Sequence, residues 1–198
     1  MFFKSRKLHS VRTAGDPVLS AIALPVKEVT AEIRELAAAM TETLDLFDGI
    51  GLAAPQVGVS LRLVVLGVPF PKEKNAVLSP GEKELLPRMP LVLVNPEITA
   101  STPEVSEHEE GCLSVPDIWA TVVRPSGVHL RSQTLDGGII DCDCGGLLAR
   151  CIQHELDHLD GLLFTDRLNP AERQRIGGEL ERLIASGERT GFRRVRRK

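Results

Sequence analysis

The residues best suited to catalysis lie in the segment Gln153-His154-Glu155-Leu156-Asp157-His158, which contains the pattern His-Glu-x-x-His. Residues four apart in a helix lie on the same face, so the imidazoles of His154 and His158 can bind one metal ion. Glu155 is next to the first histidine and can reach a water on the metal without binding the metal itself. The pattern therefore predicts a metal-dependent hydrolase in which Glu155 transfers protons.

A helix must position these side chains, and the sequence predicts one over residues 147–160, between Gly145-Gly146 and Gly161. Two neighbouring stripes run along this helix and are mainly apolar. One consists of Leu148, Ile152, Glu155 and Leu159, and the other of Leu147, Cys151, His154 and His158. Because the histidines share a face with apolar residues, we expect them to point into the protein core, where water is limited.

Two imidazoles are too few for a stable site, because zinc-like ions take three protein ligands and a water. Downstream carboxylates are one source of the third ligand, and they would make the chain a peptidase; the candidates are Glu172, Glu179 and Glu181. Upstream, Cys112 lies in Glu110-Gly111-Cys112-Leu113-Ser114 and offers a softer, stronger thiolate donor. Spacing alone leaves both sources open.

Three segments in order resemble the peptide deformylase family. They are Gly49-Ile50-Gly51-Leu52-Ala53-Ala54-Pro55-Gln56, then Glu110-Gly111-Cys112-Leu113-Ser114, then Gln153-His154-Glu155-Leu156-Asp157-His158-Leu159. The resemblance covers most of residues 49–168. Each motif alone is suggestive, whereas the three together are highly specific.

The resemblance implies a function and a set of roles. Cys112, His154 and His158 would bind the metal, Glu155 would be the acid and base, and Gln56 and Leu113 would form the oxyanion site. The implied substrate is the N-formyl group on the first methionine of new polypeptides, and formate is the product. One divalent ion is implied, usually Fe²⁺, with Zn²⁺ or Ni²⁺ as replacements. We also expect substrate contacts from Gly49, Ile50, Gly51 and Cys151, since glycine lets a backbone approach a ligand closely.

Three positions affect the predicted substrate pocket and the support of the Cys112 loop. Trp119 stands where many members of the family carry a substrate-facing Arg. Arg150 occupies a position that is often apolar in the family, and its stem is expected to line the methionine pocket with the charge held outside. Arg124 is a candidate partner for Glu110, which would hold the loop of Cys112; an ordinary surface ion pair is the alternative.

The order of predicted elements indicates one α+β domain over residues 1–188. An N-terminal helix is expected from Thr30 to Phe47, ended by Gly49, and a C-terminal helix from Pro170 to about Ala185, capped by Asn169 with Glu172 closing a capping box. Antiparallel or mixed sheets are expected to pack around the central helix that carries His-Glu-x-x-His. The strands are predicted at 61–66, 91–94, 122–123 and 128–133, with a hairpin turn at 136–138 leading to residues 139–140. Residues 67–90 contain five prolines and are predicted to form a long surface loop.

Charge is unevenly distributed along the chain. Residues 189–198 contain six basic residues and no acidic one, while the other 188 residues carry 18 basic and 27 acidic side chains. A basic tail on an acidic body suggests a polyanionic partner such as ribosomal RNA, and a solvated terminus is the alternative.

A non-enzymatic RNA-binding module with a structural metal is disfavoured, because a closed structural site has no use for Glu155.

The sequence also indicates where the protein works. Charges near Met1 interrupt the apolar run that a signal peptide needs, and residues 19–26 are too short to span a bilayer. We therefore expect a cytoplasmic protein with no membrane partner. The four cysteines (Cys112, Cys142, Cys144 and Cys151) are expected to carry no disulfide.

Overall fold

The computed structural model describes residues 10–73 and 75–186. The helices are α1 (Ala31–Leu46), α2 (Pro80–Leu85), α3 (Gly146–Leu159) and α4 (Pro170–Ser186). The strands are β1 (Gly51–Ala53), β2 (Leu63–Leu66), β3 (Leu91–Ser101), β4 (Val105–Cys112), β5 (Val115–Pro125), β6 (Gly127–Gln133) and β7 (Ile139–Gly145). Short 3₁₀ helices cover Pro17–Ser20, Ala54–Val57, Leu86–Arg88 and Phe164–Arg167.

Within the described residues, seven strands form two antiparallel sheets. The larger has the order β1-β2-β3-β6-β7, and the smaller is the β4-β5 hairpin. Apart from the short α2 between β2 and β3, the helices precede or follow the strands instead of alternating with them, which confirms the predicted α+β class.

The helix α3 packs between the two sheets and contacts strands of both. Its apolar residues Leu148, Ile152 and Leu159 are completely buried in the main core cluster, together with β2 and β3 residues such as Val64 and Leu93. The predicted central helix is therefore confirmed, and it ends before Gly161, whose φ of 75° suits glycine. In the second predicted stripe, Cys151 and His158 are buried and His154 is partly buried, but Leu147 at its start is 45% exposed.

The first predicted helix is also confirmed. Thr30 occupies the N-cap position of α1, although its side chain makes no capping hydrogen bond. Beyond the end of the helix, Asp48 takes a left-handed conformation with φ of 56°, and the N–H of Gly49 donates to the carbonyl of Leu44 at 3.1 Å. This turn brings the chain from the end of α1 directly into β1.

The prediction of a continuous surface loop at residues 67–90 is wrong for its second half. Ser79 accepts a hydrogen bond from the N–H of Glu82 at 3.3 Å, and the Glu82 carboxylate accepts from the N–H of Ser79 at 2.9 Å. This capping box begins α2, and Leu85 and Leu86 then reach the core. The signal Ser-Pro-Gly-Glu was present in the sequence, but the five prolines of the segment obscured it.

Several further elements differ from the prediction. β1 was not predicted, and β3, β5 and β7 are longer than the predicted 91–94, 122–123 and 139–140. β4 was not predicted, because only one residue of its Ser-Glu-His-Glu-Glu stretch, Glu110, is buried and the pattern does not read as a strand. The start of α4 is confirmed, since Asn169 Oδ1 accepts from the N–H of Glu172 at 2.9 Å. Glu172 does not close a capping box, however; its carboxylate accepts from the N–H of Thr121 at 2.9 Å and pairs with Arg175 at 2.7 Å.

The predicted basic tail at 189–198 lies outside the described residues. All four cysteines are free thiols, as expected. Within the described ranges, no helix combines the length and apolar character that crossing a membrane requires.

Candidate active site

Three side chains, one from β4 and two from α3, lie close together where these two elements meet. Cys112 ends β4, and His154 and His158 lie one turn apart on α3. One candidate ligand atom from each lies within 4.8 Å of the other two, and Cys112 Sγ is 3.2 Å from His158 Nε2. A single ion with ligand bonds of about 2.0–2.3 Å suits such a group. Among the described residues, this is the one group of three or more histidine, cysteine or acidic side chains whose candidate ligand atoms lie this close together.

Contacts on both sides fix the imidazole of His154, whereas Nδ1 of His158 has no hydrogen-bond partner among the described residues. Nδ1 of His154 lies 2.9 Å from Glu110 Oε2, so the other ring nitrogen, Nε2, is left for a metal. The His154 ring stacks on Phe164 at 6.1 Å between centroids and meets the His158 ring edge-on at 5.2 Å. His158 is completely buried. Helical spacing thus aligns the pair, and the 3₁₀ helix that follows α3 supports it from the other side.

The thiol of Cys112 has polar neighbours that favour the thiolate. Gln56 Nε2 lies 3.5 Å from Sγ, and the N–H of Ser114 lies 3.4 Å from it. Burial raises the pKa of Cys112, but the charge on His158 and hydrogen bonds from both histidines outweigh burial and hold that pKa well below its ordinary value. A thiolate is the form of cysteine that binds a metal.

The amide of Gln56 is held in place at both ends. Its Oε1 accepts from the N–H of Ala53 at 2.8 Å, and its Nε2 donates to Ser114 Oγ at 3.2 Å. Gln56 belongs to the 3₁₀ helix that follows β1, and it is almost completely buried. The donor face of this amide is therefore fixed beside Cys112. Ser114 was missed by the sequence reasoning as a contact of both residues; its presence within the Cys112 motif was the available signal.

Glu155 faces the same space from the neighbouring stripe of α3. It is buried, and its Oε2 has no hydrogen-bond partner among the described residues. Burial raises the pKa of Glu155 to about 7, although the charges on His154 and His158 favour the ionised form. A carboxyl group with such a pKa can both accept and donate a proton near neutral pH.

The predicted substrate-contact residues lie along one edge of this site. A Cβ at Gly51 would overlap the Glu155 carboxylate, and it would lie 2.8 Å from Cys151 Sγ. Cys151 Sγ donates to the carbonyl of Ile50 at 3.3 Å. A Cβ at Gly49 would lie 3.3 Å from the Leu113 side chain. The structure therefore brings β1, α3 and the turn after Cys112 together, and β1 is an edge strand of its sheet.

A buried charge network lies behind the histidines. Arg124 donates to both carboxylate oxygens of Glu110, at 2.7 and 3.0 Å, and to Asp157 at 2.8 Å. Asp157 in turn pairs with Arg167 at 2.6 Å. The alternative of a surface ion pair between Arg124 and Glu110 is wrong, because both side chains are about 95% buried. Asp157 was missed by the sequence reasoning, since nothing in the sequence marks its partners.

Two of the unusual positions are now located. Arg150 does not place its charge outside a methionine pocket as expected; its guanidinium is buried against Glu110 at 2.6 Å. Helical geometry explains the difference, since Arg150 lies one turn before His154 and faces β4 as His154 does. Trp119 is 56% exposed, and its ring covers Gly111, where a Cβ would lie 2.8 Å from it.

The alternative third ligands are not near the histidines. Glu172 is committed to Thr121 and Arg175, and the side chains of Glu179 and Glu181 are exposed on α4. The residues present therefore fit a metal through Cys112: the thiolate is favoured, both imidazoles are in reach, and Glu155 Oε2 is buried without a partner beside them. This arrangement is typical of metal-dependent hydrolases that use a proton-transferring carboxylate.

Comparison with known proteins specifies the family. The family model described as polypeptide deformylase matches residues 8–174. A peptide deformylase of Acinetobacter baumannii (strain SDF) is 44% identical over 174 residues, covering 88% of this chain and 90% of that protein. The crystal structure of peptide deformylase from Ehrlichia chaffeensis superposes with a TM-score of 0.78 at 33% identity, covering 91% of this chain and 98% of that one.

The chain therefore belongs to the polypeptide deformylase family, as the three motifs predicted. The predicted reaction, metal-dependent hydrolysis of the N-formyl group of new polypeptides, is confirmed at the level of the family.

Proposed function

We propose that Cys112, His154 and His158 together hold one divalent metal ion, and that the surrounding side chains use it to remove the formyl group from N-formylmethionyl polypeptides. A bound ion would supply Lewis acidity, which lowers the pKa of water toward neutrality and polarises a carbonyl group. The observation that carries the proposal is the position of Glu155, which is buried, unpartnered at Oε2 and beside the three candidate ligands.

Glu155 is the proposed proton carrier. Its raised pKa of about 7 lets the carboxylate take a proton from the water that attacks the formyl carbon. The same group then donates that proton to the leaving amine, which releases formate and a free N-terminus. Burial excludes bulk water that would otherwise exchange protons with the side chain.

Gln56 and Leu113 are proposed to bind the formyl oxygen as negative charge develops on it. The Gln56 amide is held by Ala53 and Ser114, and the N–H that lies against Cys112 Sγ is the one that would donate to the formyl oxygen. The second donor would be the backbone N–H of Leu113, in the turn between β4 and β5. One such donor typically contributes about 3 kcal/mol to transition-state stabilisation.

Gly49, Ile50, Gly51 and Cys151 are proposed to bind the start of the substrate chain. Ile50 is 38% exposed and adjoins the free edge of β1, so an extended peptide can reach it. Gly51 leaves room for the Glu155 carboxylate and for substrate at the same point.

Formate release from a formyl-Met-Ala peptide, with metal content measured on the same sample, tests this proposal. We expect turnover proportional to bound metal, and loss of both in Cys112→Ser. Cys142→Ser is the matched control, because that thiol is buried on β7 and makes its sulfur contact with Cys144. Full metal content and activity in Cys112→Ser would contradict the ligand set and favour a carboxylate ligand.

For the ion itself we propose Fe²⁺, with Zn²⁺ or Ni²⁺ as replacements. One thiolate and two imidazoles accept any of these borderline ions, so availability in the cell decides among them. Metal analysis of protein purified without oxygen distinguishes them.

We propose further that the basic residues 189–198 bind ribosomal RNA near the point where new chains emerge, which places the enzyme in the cytoplasm. The support is the charge pattern of the sequence, six basic residues with no acidic one. A solvated tail without a partner is the competing explanation.

A further inference from the structure

Arg150 makes contacts with both strands of the β4-β5 hairpin behind the candidate metal site. Its Nη1 donates to Glu110 Oε1 at 2.6 Å and to the carbonyl of Val122 at 3.1 Å. Its Nη2 donates to the carbonyl and to Oγ of Ser106, at 2.8 and 2.9 Å. One side chain on α3 is thus attached to the middle and the start of β4 and to β5.

These elements are the ones that carry the candidate ligands. Cys112 is the last residue of β4, while His154 and His158 lie on α3 beyond Arg150. The separation between β4 and α3 therefore determines the distance from the sulfur to the two imidazoles. Arg150 spans this separation directly, and its guanidinium is planar with donors in fixed directions.

Among the network's members that are at least nine-tenths buried, which exclude the half-exposed Arg167, the charges balance only when Arg150 is counted. Glu110 and Asp157 contribute two carboxylates, and Arg124 and Arg150 contribute two guanidinium groups, all four at least nine-tenths buried. Removing one member of such a set leaves an uncompensated buried charge. The same Glu110 carboxylate that Arg150 contacts also holds Nδ1 of His154.

We infer that Arg150 is a positioning residue for the metal site: it fixes the Glu110 carboxylate and the spacing of β4 and α3, and thereby holds Cys112 and His154 at the distance that one ion requires. The inference rests on the proposed ligand set. It differs from the role of Arg124, which pairs with Glu110 from within the same hairpin and does not tie that hairpin to α3 except through Asp157.

The test measures how fast bound metal is lost to an excess of chelator, using the zinc-loaded protein, together with the visible spectrum of the cobalt-loaded protein. In Arg150→Met we expect metal loss to accelerate by about 10–100-fold, as for other partners of metal ligands, with a changed cobalt spectrum. Arg150→Lys keeps the charge but cannot reach Glu110, Val122 and Ser106 together, so it should fall between the parent and Arg150→Met. If Arg150→Met does not fold, Arg150→Lys alone tests the inference.

Arg62→Met is the matched control. Arg62 also forms an ion pair, with Asp160 at 2.7 Å, and donates to the carbonyl of Pro96 at 3.2 Å, so its partners lie outside Glu110 and the β4-β5 hairpin. We expect it to lower thermal stability without altering metal loss or the cobalt spectrum.

Two outcomes overturn the inference. One is metal loss from the Arg150 variants within twofold of the parent; the other is equal acceleration in Arg62→Met, which would indicate a general effect of stability. Cys112→Ser in the same assay separates this failure from failure of the ligand set. If Cys112→Ser loses metal and Arg150→Met does not, the inference about Arg150 alone is wrong; if Cys112→Ser retains metal, the ligand set is wrong and the inference falls with it.

Discussion

The carboxylate of Glu155 lies directly against Gly51, so that a Cβ at this glycine would overlap Oε1 and would also lie 2.8 Å from Cys151 Sγ. The close approach joins β1, at the free edge of the larger sheet, to the proton-transferring face of α3. The absence of a side chain at Gly51 thus leaves room for Glu155 to occupy this position.

Gly51→Ala should therefore reduce kcat/KM by about 10²-fold, the effect of moving a catalytic group by roughly 1 Å. Metal content should stay at the parent level, because the three candidate ligands do not contact Gly51. Gly177→Ala is the control: a Cβ there meets nothing within 4 Å, and alanine favours a helix over glycine by about 1 kcal/mol. Parent-like turnover in Gly51→Ala would show that Glu155 tolerates displacement.

A second prediction concerns the pH dependence of stability and His129, which is not one of the candidate metal ligands. His129 lies between Asp143 and Asp141, with ring nitrogens 2.7 and 2.6 Å from their carboxylates, and hydrogen bonds to Asp143 and Asp141 raise the pKa of His129. Its contribution to the free energy of unfolding should be complete below the unfolded pKa of about 6.5. That contribution should disappear as pH rises through the higher folded value. NMR titration of the ring should return to about 6.5 in the Asp141→Asn, Asp143→Asn protein; an unchanged titration would refute the assignment.

Oxidation should inactivate the iron-loaded enzyme in preference to the zinc- or nickel-loaded enzyme. Cys112 is held as a thiolate and is partly accessible, so peroxide can convert it to the sulfenic acid. Iron-loaded enzyme kept in air should lose activity while zinc- or nickel-loaded enzyme persists. Mass spectrometry should locate the modification at Cys112 and not at the buried Cys144, whose burial raises its pKa. If iron-supported activity survives peroxide, either iron is not the working ion or Cys112 is not its ligand.

The next prediction concerns ribosome binding by the basic tail, which assays with short peptide substrates do not detect. Cutting the chain after Gly187 should leave turnover of formyl-Met-Ala unchanged but reduce co-sedimentation with ribosomes at low salt. The difference should shrink steeply as salt rises, as expected for contacts with phosphates. The matched control keeps the length of the tail and replaces its six basic residues with Gln. Equal co-sedimentation of all three proteins across the salt series would contradict ribosome binding.

The sequence predicted the parts of the site that lie within short motifs. His154, Glu155 and His158 are placed by one helical turn, and the apolar stripes of α3 correctly indicated that this turn faces the core. Cys112 required the resemblance, because a single cysteine 42 residues from His154 carries no spacing signal. The structure brings the two together through the β4-β5 hairpin, whose first strand the sequence did not reveal.

Long-range electrostatic contacts were the least predictable part. Arg150 was expected to line the methionine pocket with its stem and to hold its charge outside, yet its guanidinium lies against Glu110 on β4. Asp157 lies within His-Glu-x-x-His but pairs with Arg124, 33 residues earlier in the chain. Such contacts depend on which strands pair and in which register, and neither is encoded in the local pattern of the helix.

The central claim is that Glu155 carries the proton and does not bind the metal. Glu155→Gln tests it most directly, because the amide keeps the size of the side chain and removes its ability to accept a proton. Metal content and formate release are measured on the same zinc-loaded sample. We predict full metal content with turnover reduced by about 10²–10⁴-fold, the usual contribution of a general acid and base. Loss of the metal from Glu155→Gln, or turnover close to that of the parent, would contradict the account.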